Sequence, residues 1–431
     1  MVPDSAVTET NRTSRRNYRL GVISGIAFEL YKVFLSTPLV MTWFLSELTH
    51  SNLLIGLLIP IDYGGWYFLQ FVLSNHVQRR GYTLPIYRRM AAIRIPALGL
   101  LAAAAFVLQD RTVLLWAFMF LFTVHAVASG VAGLPFLDVV LKTVPARRRG
   151  MYFGWRRFLG GILGLAAGGV VTWVLSNRFP LSFPDNYAVL FSLGFLVVAL
   201  YTGSFSLIDE PVGEVNPAHV GIVQQFRRAL ALARRDENYA RYLGIRMMIA
   251  VTGFATPFYT VYARRRAGVS EDIVGVYLMA LTLSALIANL IFGLVGDRYG
   301  NRRLLRLMSI LSLVPPGLAF LSASGGMGGG SPALSFALVF VFYGLQTSAD
   351  IIGSYNYVME LAPALERAIY IGFANGLAGL VYLLSPAAGA LVDAFGFRPL
   401  FLFAGSCAMI ATYLSFRLVE PRSASAKLDG P

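Results

Sequence analysis

The chain has a single cysteine, Cys407, so no internal disulfide can form and cysteine usage leaves the redox compartment unread. Charge is scarce: 13% of the 431 residues are charged against 56% hydrophobic, and the mean hydropathy is +0.63. A soluble chain of this length needs far more polar surface to cover its core. The sequence has no cluster of metal-ligand residues. Its one glycine-rich run, Gly326 to Gly330, lacks the Lys and Ser/Thr that a phosphate loop requires. Ser, His and Asp are sparse, and none stand as nucleophile and base at helical spacing. An enzyme is therefore not expected, nor a metal or cofactor.

What is abundant is apolar sequence in runs of about 20 residues, each long enough to cross ~30 Å of hydrocarbon. Twelve such runs are read at about 20–46, 52–75, 89–108, 113–141, 152–176, 187–208, 239–263, 270–297, 303–323, 333–360, 367–393 and 398–418. The first is too long for the core of a signal peptide, so it reads as a retained span. The 36 Lys and Arg outnumber the 22 Asp and Glu. Most of the basic residues fall on the side of the two termini, which the positive-inside bias assigns to the cytoplasm. The same bias accounts for the basic excess without a nucleic-acid partner. Arg264, Arg265 and Arg266 dissent by facing outward, and Glu271 and Asp272 are their expected partners.

The expected organisation is all-α and integral to the membrane. A cytoplasmic tail, 1–18, precedes a six-helix bundle, 19–208. A cytoplasmic loop, 209–238, leads to a second six-helix bundle, 239–419, and a cytoplasmic tail, 420–431. Within the loop, Asn216 and Pro217 read as N-cap and first helical residue. Val220, Val223, Phe226 and Leu230 then recur at helical spacing opposite Arg227, Arg228, Arg234 and Arg235. Such a helix suits the cytoplasmic leaflet or a solvated linker.

The halves repeat at a shift of 218 or 219 positions. Thr37-Pro38 meets Thr256-Pro257, and Ser51 and Gly56 meet Ser270 and Gly275. Arg79 and Gly81 meet Arg298 and Gly300. Tyr152 and Gly161 meet Tyr370 and Gly379. An even number of spans per repeat relates the halves by an axis along the membrane normal.

The connection after span eight carries Gly293, Gly296, Asp297, Arg298, Gly300, Arg302 and Arg303. Its pattern, G-x-x-x-D-R-x-G-x-R-R, resembles the signature cytoplasmic loop of the major facilitator superfamily. The first copy departs from it, with Gln78 and Ser74 where Asp297 and Gly293 stand. Asp138 beside Arg147, Arg148 and Arg149 is a candidate substitute for that lock. In span five, Gly160, Gly164 and Gly168 form a smooth face for close packing. They look like the glycine motif of drug/proton antiporters, except that Leu165 replaces its proline. Pro386 and Gly389 in span eleven carry a similar bend-and-pack pattern.

Few ionisable residues lie deep in the spans, and each is informative. They are Glu29 and Lys32 in span one, Asp62 in span two, His125 in span four, Arg246 in span seven and Asp350 in span ten. Arg94 lies near the inner end of span three, within reach of the headgroups by snorkelling. In the superfamily, spans one, four, seven and ten line a central cavity. The resemblance thus implies a midplane site for a small organic solute, with protons, or alternatively sodium, as the coupling ion. Tyr31, Trp43, Trp66 and Tyr259 add aromatic surface suited to such a solute. A carboxylate in hydrocarbon can take up a proton unless a cation beside it holds it ionised. Glu29 is the first candidate carrier and Asp62 the fallback. Two plainer readings stand beside this: Glu29–Lys32 and Arg246–Asp350 as static ion pairs, and His125 as a hydrogen-bonded core residue.

The resemblance implies a monomeric secondary transporter of the cell membrane, working by rocking of two bundles. A non-transporting membrane sensor or assembly protein with the same fold is the alternative. If Asp297 bridges bundle helices, Asp297→Asn is expected to reduce solute flux while leaving expression largely intact. Normal flux in that variant would make the loop a simple anchor.

Overall fold

A computed structural model describes residues 4–67, 73, 77, 79–213, 222–325, 331–363 and 366–421, and the described residues contain no β-strand. The helices are α1 (Asp4–Phe34), α2 (Thr42–Leu48), α3 (Asn52–Gly56), α4 (Leu84–Val107), α5 (Arg111–Thr143), α6 (Ala146–Val174), α7 (Asp185–Ser206), α8 (Ile222–Arg235), α9 (Glu237–Thr252), α10 (Thr256–Arg265), α11 (Ile273–Tyr299), α12 (Asn301–Leu311), α13 (Val314–Ala323), α14 (Pro332–Leu361), α15 (Arg367–Tyr382), α16 (Pro386–Phe395) and α17 (Phe397–Phe416). Among the described residues, ten helical stretches are long and apolar enough to cross a membrane. Spans two and seven of the sequence reading are not in that set; span two lies partly outside the described residues, and both carry an irregular turn. Residues 60–64 form a π-helical turn that starts at Pro60. A 3₁₀ turn, Gly253–Ala255, separates α9 from α10, which carries Pro257 at its start. Proline has no backbone N–H, so it opens a new helical segment more easily than it continues one.

The chain forms two compact units, residues 1–36 with 72–219, and residues 37–71 with 220–431. In the first unit, α1 lies along α6 and glycines set their separation. A Cβ on Gly21 or Gly25 would run into Tyr152 or Arg156, and one on Gly160 would fall 2.6 Å from the Cβ of Glu29. Gly160, Gly164 and Gly168 are all buried, as the smooth-face reading requires. Where the helices part, side chains cap them. Asp110 accepts from Thr112 N at 2.8 Å and Val113 N at 2.9 Å at the start of α5. Glu210 accepts from Thr83 N at 2.9 Å and Leu84 N at 2.8 Å at the start of α4, satisfying donors that a helix N-terminus leaves unpaired. Lys142 joins the same carboxylate at 2.8 Å and Asp138 at 2.6 Å. Asp138 also accepts from Thr83 Oγ1 at 2.7 Å. This corrects the expected pairing of Asp138 with the arginine run: Lys142, one turn along the same helix, takes it. Arg149 instead donates to the Val144 and Leu141 carbonyls. Ser74 and Gln78 lie outside the described residues.

In the second unit, α11 and α12 pack on α14, and α9 packs on α17. The amphipathic helix of the central loop is α8. Its apolar face meets protein: Ala229 is buried with Tyr239 and Phe373, and Phe226 stacks edge-on to Phe373 at 5.3 Å. Arg228 pairs with Glu366 at 3.2 Å. Phe226 on that stripe stays 37% exposed, so protein covers it only in part. Asn216 and Pro217 lie outside the described residues, as does Gly326–Gly330.

The repeat extends to contacts that the shift alone does not reveal. Asn17 Nδ2 donates to the Asp209 carbonyl at 2.8 Å and its Oδ1 accepts from Asp209 N at 3.1 Å. Asn238 does the same with Val419, at 3.2 Å and 2.9 Å. The tyrosine that follows each asparagine packs on its repeat partner: Tyr18 on Tyr152 at 5.5 Å, Tyr239 on Tyr370 at 4.2 Å. The next acid stands over the glycine of the following loop in the second copy, where a Cβ on Gly300 would strike the Glu420 carboxylate at 2.6 Å.

At the opposite end of the second unit, α3 lies against α16 through Gly56 and Gly389. A Cβ at Gly389 would overlap the Asn52 carbonyl, a backbone group with nowhere to move. Gly389→Ala is therefore expected to destabilise the protein by about 1–3 kcal/mol, the usual cost of overpacking. Gly405→Ala, where a Cβ meets nothing within 4 Å, is the matched control. Melting of both variants in detergent checks this, and equal midpoints would refute the close approach.

Candidate functional site

The second unit gathers three of the deep ionisable residues with a set of tyrosines. Arg246 on α9 donates from Nη1 to Asp350 Oδ1 on α14 at 2.5 Å. Ser354, one turn on, donates to the same oxygen at 2.5 Å, and Tyr242 OH donates to the Ser354 carbonyl at 3.1 Å. Arg246 is 8% exposed, so the pair is largely withdrawn from solvent. Tyr67, Tyr242 and Tyr382 lie within electrostatic reach of the guanidinium. A narrow cleft beside the pair is lined by Arg246, Ser354, Tyr355 and Asn375. An ion pair held by serine and ringed by phenols can exchange partners with hydroxyl-bearing groups without leaving a buried charge bare.

Asp62 is in the same unit, within the π-helical turn 60–64. Its Oδ2 accepts from Thr37 Oγ1 at 2.7 Å. Among the described residues no cation pairs with it, so its partner is a neutral hydroxyl. Thr37 itself begins the π-helical turn that interrupts span one. The ring of Tyr63 lies 5.4 Å and that of Tyr67 5.9 Å from the ring of Tyr382. Trp43 and Tyr259 are each 2% exposed, so both pack the core of this unit and neither offers solute-facing surface.

The first unit holds Glu29, Lys32 and His125. Lys32 Nζ donates to Glu29 Oε2 at 2.7 Å, and the Lys32 side chain is 52% exposed. His125 is fully buried. Its Nδ1 lies 3.2 Å from the Arg94 carbonyl and its Nε2 lies 3.1 Å from Tyr31 OH. A carbonyl only accepts, so Nδ1 carries the proton and Nε2 accepts from the tyrosine. That arrangement fits the hydrogen-bonded core histidine. Arg94 is 3% exposed, which corrects its expected snorkelling: it turns inward to Tyr87 OH at 2.9 Å.

The loop between α11 and α12 turns on Gly300, whose φ of 87° lies in the left-handed region that favours glycine. Gly296 is buried, with a notional Cβ 3.0 Å from Asn301 Oδ1, while one on Gly293 would meet nothing within 4 Å. Close approach is thus made at Gly296 and not at Gly293. Asp297 is exposed on the last turn of α11. Arg298 and Arg303 stack on the Tyr299 ring at 5.5 Å and 5.3 Å, and Arg302 reaches the Leu418 carbonyl at 3.5 Å.

Two of the outward arginines make contacts that the sequence reading did not name. Arg264 pairs with Glu47 and with Ser46, and Arg265 donates to the Thr49 carbonyl at 2.6 Å and Asn52 Oδ1 at 3.1 Å. Asn52 Nδ2 in turn donates to Asp393 at 2.7 Å. Burial and the adjacent Arg264 hold the Arg265 guanidinium below its ordinary pKa. Asp393 and the tyrosines of spans two, ten and eleven were not among the sequence candidates. Phenols inside otherwise apolar runs were the available signal.

The fold is that of solved transporters. It superposes on a mutant of the nucleoside transporter NupG with a TM-score of 0.69, at 14% identity over 94% of this chain and 100% of that one. A D-xylose–proton symporter matches with a TM-score of 0.68, at 14% identity over 95% and 99%. The family model of the Major Facilitator Superfamily matches residues 242–431. That match takes in the C-terminal part of the chain, less than half of its length. An uncharacterized transporter of this superfamily type from Methanocaldococcus jannaschii is 24% identical over 170 residues; the match covers 39% of this chain and 42% of the relative. The ten long apolar helical stretches among the described residues mark a multi-pass membrane protein.

If Arg246 and Asp350 depend on each other, removing either alone leaves a buried charge, at a cost of about 3–5 kcal/mol. Arg246→Ala and Asp350→Ala should each lower the detergent melting midpoint more than the double variant does. Strictly additive shifts would reject the coupling.

Proposed function

We propose that the chain is a secondary active transporter of the major facilitator superfamily that moves a polar organic solute across the cell membrane by alternating access. Protons are the proposed coupling ion, and the protein acts as a monomer in the bilayer. The observation that supports this reading best is the chemistry of the second unit. A paired Arg246–Asp350, phenols and a carboxylate that no cation meets among the described residues are built into helices that otherwise read as apolar. Such groups are costly in a membrane and are characteristic of solute and ion paths. The solved relatives are named for nucleoside and D-xylose–proton transport; both solutes carry hydroxyls and rings, which tyrosines suit.

Between the two carboxylates proposed as carriers, geometry favours Asp62. Glu29 already has Lys32 at 2.7 Å, so proton uptake there would break an ion pair. Asp62 faces the Thr37 hydroxyl, which can donate to the carboxylate and accept from the carboxylic acid, so a proton can come and go without breaking an ion pair. The π-helical turn around Asp62 places it where backbone geometry already departs from the α-helix, a frequent mark of functional sites. The alternative, a membrane sensor with the same fold, requires no such exchange.

Reconstituted protein in vesicles with an imposed pH gradient tests the reading over a broad panel of solutes. Asp62→Asn is expected to abolish gradient-driven accumulation while retaining exchange at equal pH, and Glu29→Gln is expected to keep accumulation. The reverse pattern would return the role to Glu29. No flux for any solute would favour the sensor.

A further inference from the structure

The second unit balances its buried guanidinium with a carboxylate; the first unit does not. Arg94 and Arg156 are 3% and 7% exposed, and among the described residues neither makes an ion pair. Arg156 is satisfied by its surroundings. Its Nη1 donates to the Gly21 carbonyl at 2.9 Å and Tyr152 OH at 2.7 Å, and three aromatic rings surround it. Arg94 is only partly satisfied. It donates to Tyr87 OH at 2.9 Å and sits over the rings of Tyr87 and Tyr201, at 5.0 Å and 4.8 Å. Its Nε–H has no hydrogen-bond partner among the described residues.

A buried donor left unpaired costs the desolvation of that group, and a guanidinium facing only ring faces and one phenol has no full counter-charge. The neighbouring groups cannot supply one. His125 is neutral in the arrangement that its two contacts require, and Tyr31 donates its proton to it. Glu29, the carboxylate of α1, packs on Gly160 and is paired with Lys32. We propose that the first unit holds an anion subsite at Arg94, which receives the carboxylate or phosphate of an organic solute. Tyr31 marks the way in. It is partly exposed, and it touches both Tyr201, which lies over the guanidinium, and His125, which anchors the Arg94 backbone. Turning Tyr31 aside removes one hydrogen bond and opens the cage at its most accessible member. The guanidinium selects an oxygen anion on a small, partly aromatic or aliphatic body, because the ring faces around it repel the anion's charge except along the N–H directions.

This inference rests on the transport reading but is tested apart from it, by binding. Purified full-length protein in detergent is melted with benzoate, glutarate and glycerol 3-phosphate, and with benzamide, glutaramide and glycerol as their neutral counterparts. At least one anion is expected to raise the midpoint where its neutral counterpart does not. Arg94→Gln should weaken that anion by about 10-fold to 100-fold, the weight of a charge-assisted hydrogen bond, and Arg94→Lys should weaken it less. If Arg94→Gln does not fold, Tyr31→Phe carries the test: it frees the entry from His125 and should tighten the same anion. No anion preference in the wild type overturns the proposal, and so does an unchanged affinity in folded Arg94→Gln. A protein that transports a neutral solute under a pH gradient yet shows no anion preference would retain the transport reading and lose this one.

Discussion

Hydrocarbon offers no hydrogen bonds, so each break in a membrane-crossing helix has to be closed by the protein's own groups. The second unit is organised by that demand. Its helices break at residues 37–41, 60–64, 253–255 and 383–385, and polar side chains stand at these places. Thr42 Oγ1 donates to the Thr37 carbonyl at 2.6 Å, Thr260 Oγ1 to the Pro38 carbonyl at 2.6 Å, and Ser385 Oγ to the Gly56 carbonyl at 3.1 Å. These breaks bring Thr37 to Asp62 and allow α3 to lie within backbone contact of α16. A straight helix through the same segments would have neither the carbonyls to spare nor the space.

The first unit meets the demand differently. Its helices run long and mostly unbroken, and proximity comes from glycine. Gly21, Gly25 and Gly160 bring α1 and α6 so close that one helix's side chains cover the other's backbone. Its ends are tied by carboxylates and amides, with Glu210 over the first turn of α4 and Asn17 locked to Asp209. The asparagine lock recurs at Asn238, so the two units share their fastening at that end even though their interiors diverge.

Much of this was legible in the sequence. Apolar runs and the shift of the repeat indicated a helical membrane protein with two related halves; the Thr-Pro pairs, read only as repeat matches, stand where spans one and seven break. The glycine face of span five was readable because its four-residue spacing is a helical property. Partner choice was not. Asp138 stood near three arginines in sequence, but Lys142 lay on its own helix face. The outward arginines read as partners for the nearest acids, whereas Arg264 and Arg265 reach residues 46–52, more than two hundred positions away. Arg94 looked able to snorkel because its depth was counted from a span boundary, while its direction depends on Tyr87 and Tyr201 contributed by packing. Long-range pairing is written in tertiary contacts, and periodicity carries no information about it.

Arg265 deserves one last thought in mechanical terms. Its acceptors, the Thr49 and His50 carbonyls and the Asn52 amide oxygen, carry no formal charge. None of them titrates, and salt screens such contacts less than it screens an ion pair on a surface. The clasp, which also reaches the Ser46 carbonyl, therefore responds to the position of the corner at residues 46–52, while the charges of Arg264, Asp393 and Glu47 act on the guanidinium itself. Acidity and ionic strength on that side leave its acceptors unchanged, and a displacement of the corner by a single hydrogen-bond length undoes it. It is a sensor of geometry fitted beside groups that sense charge.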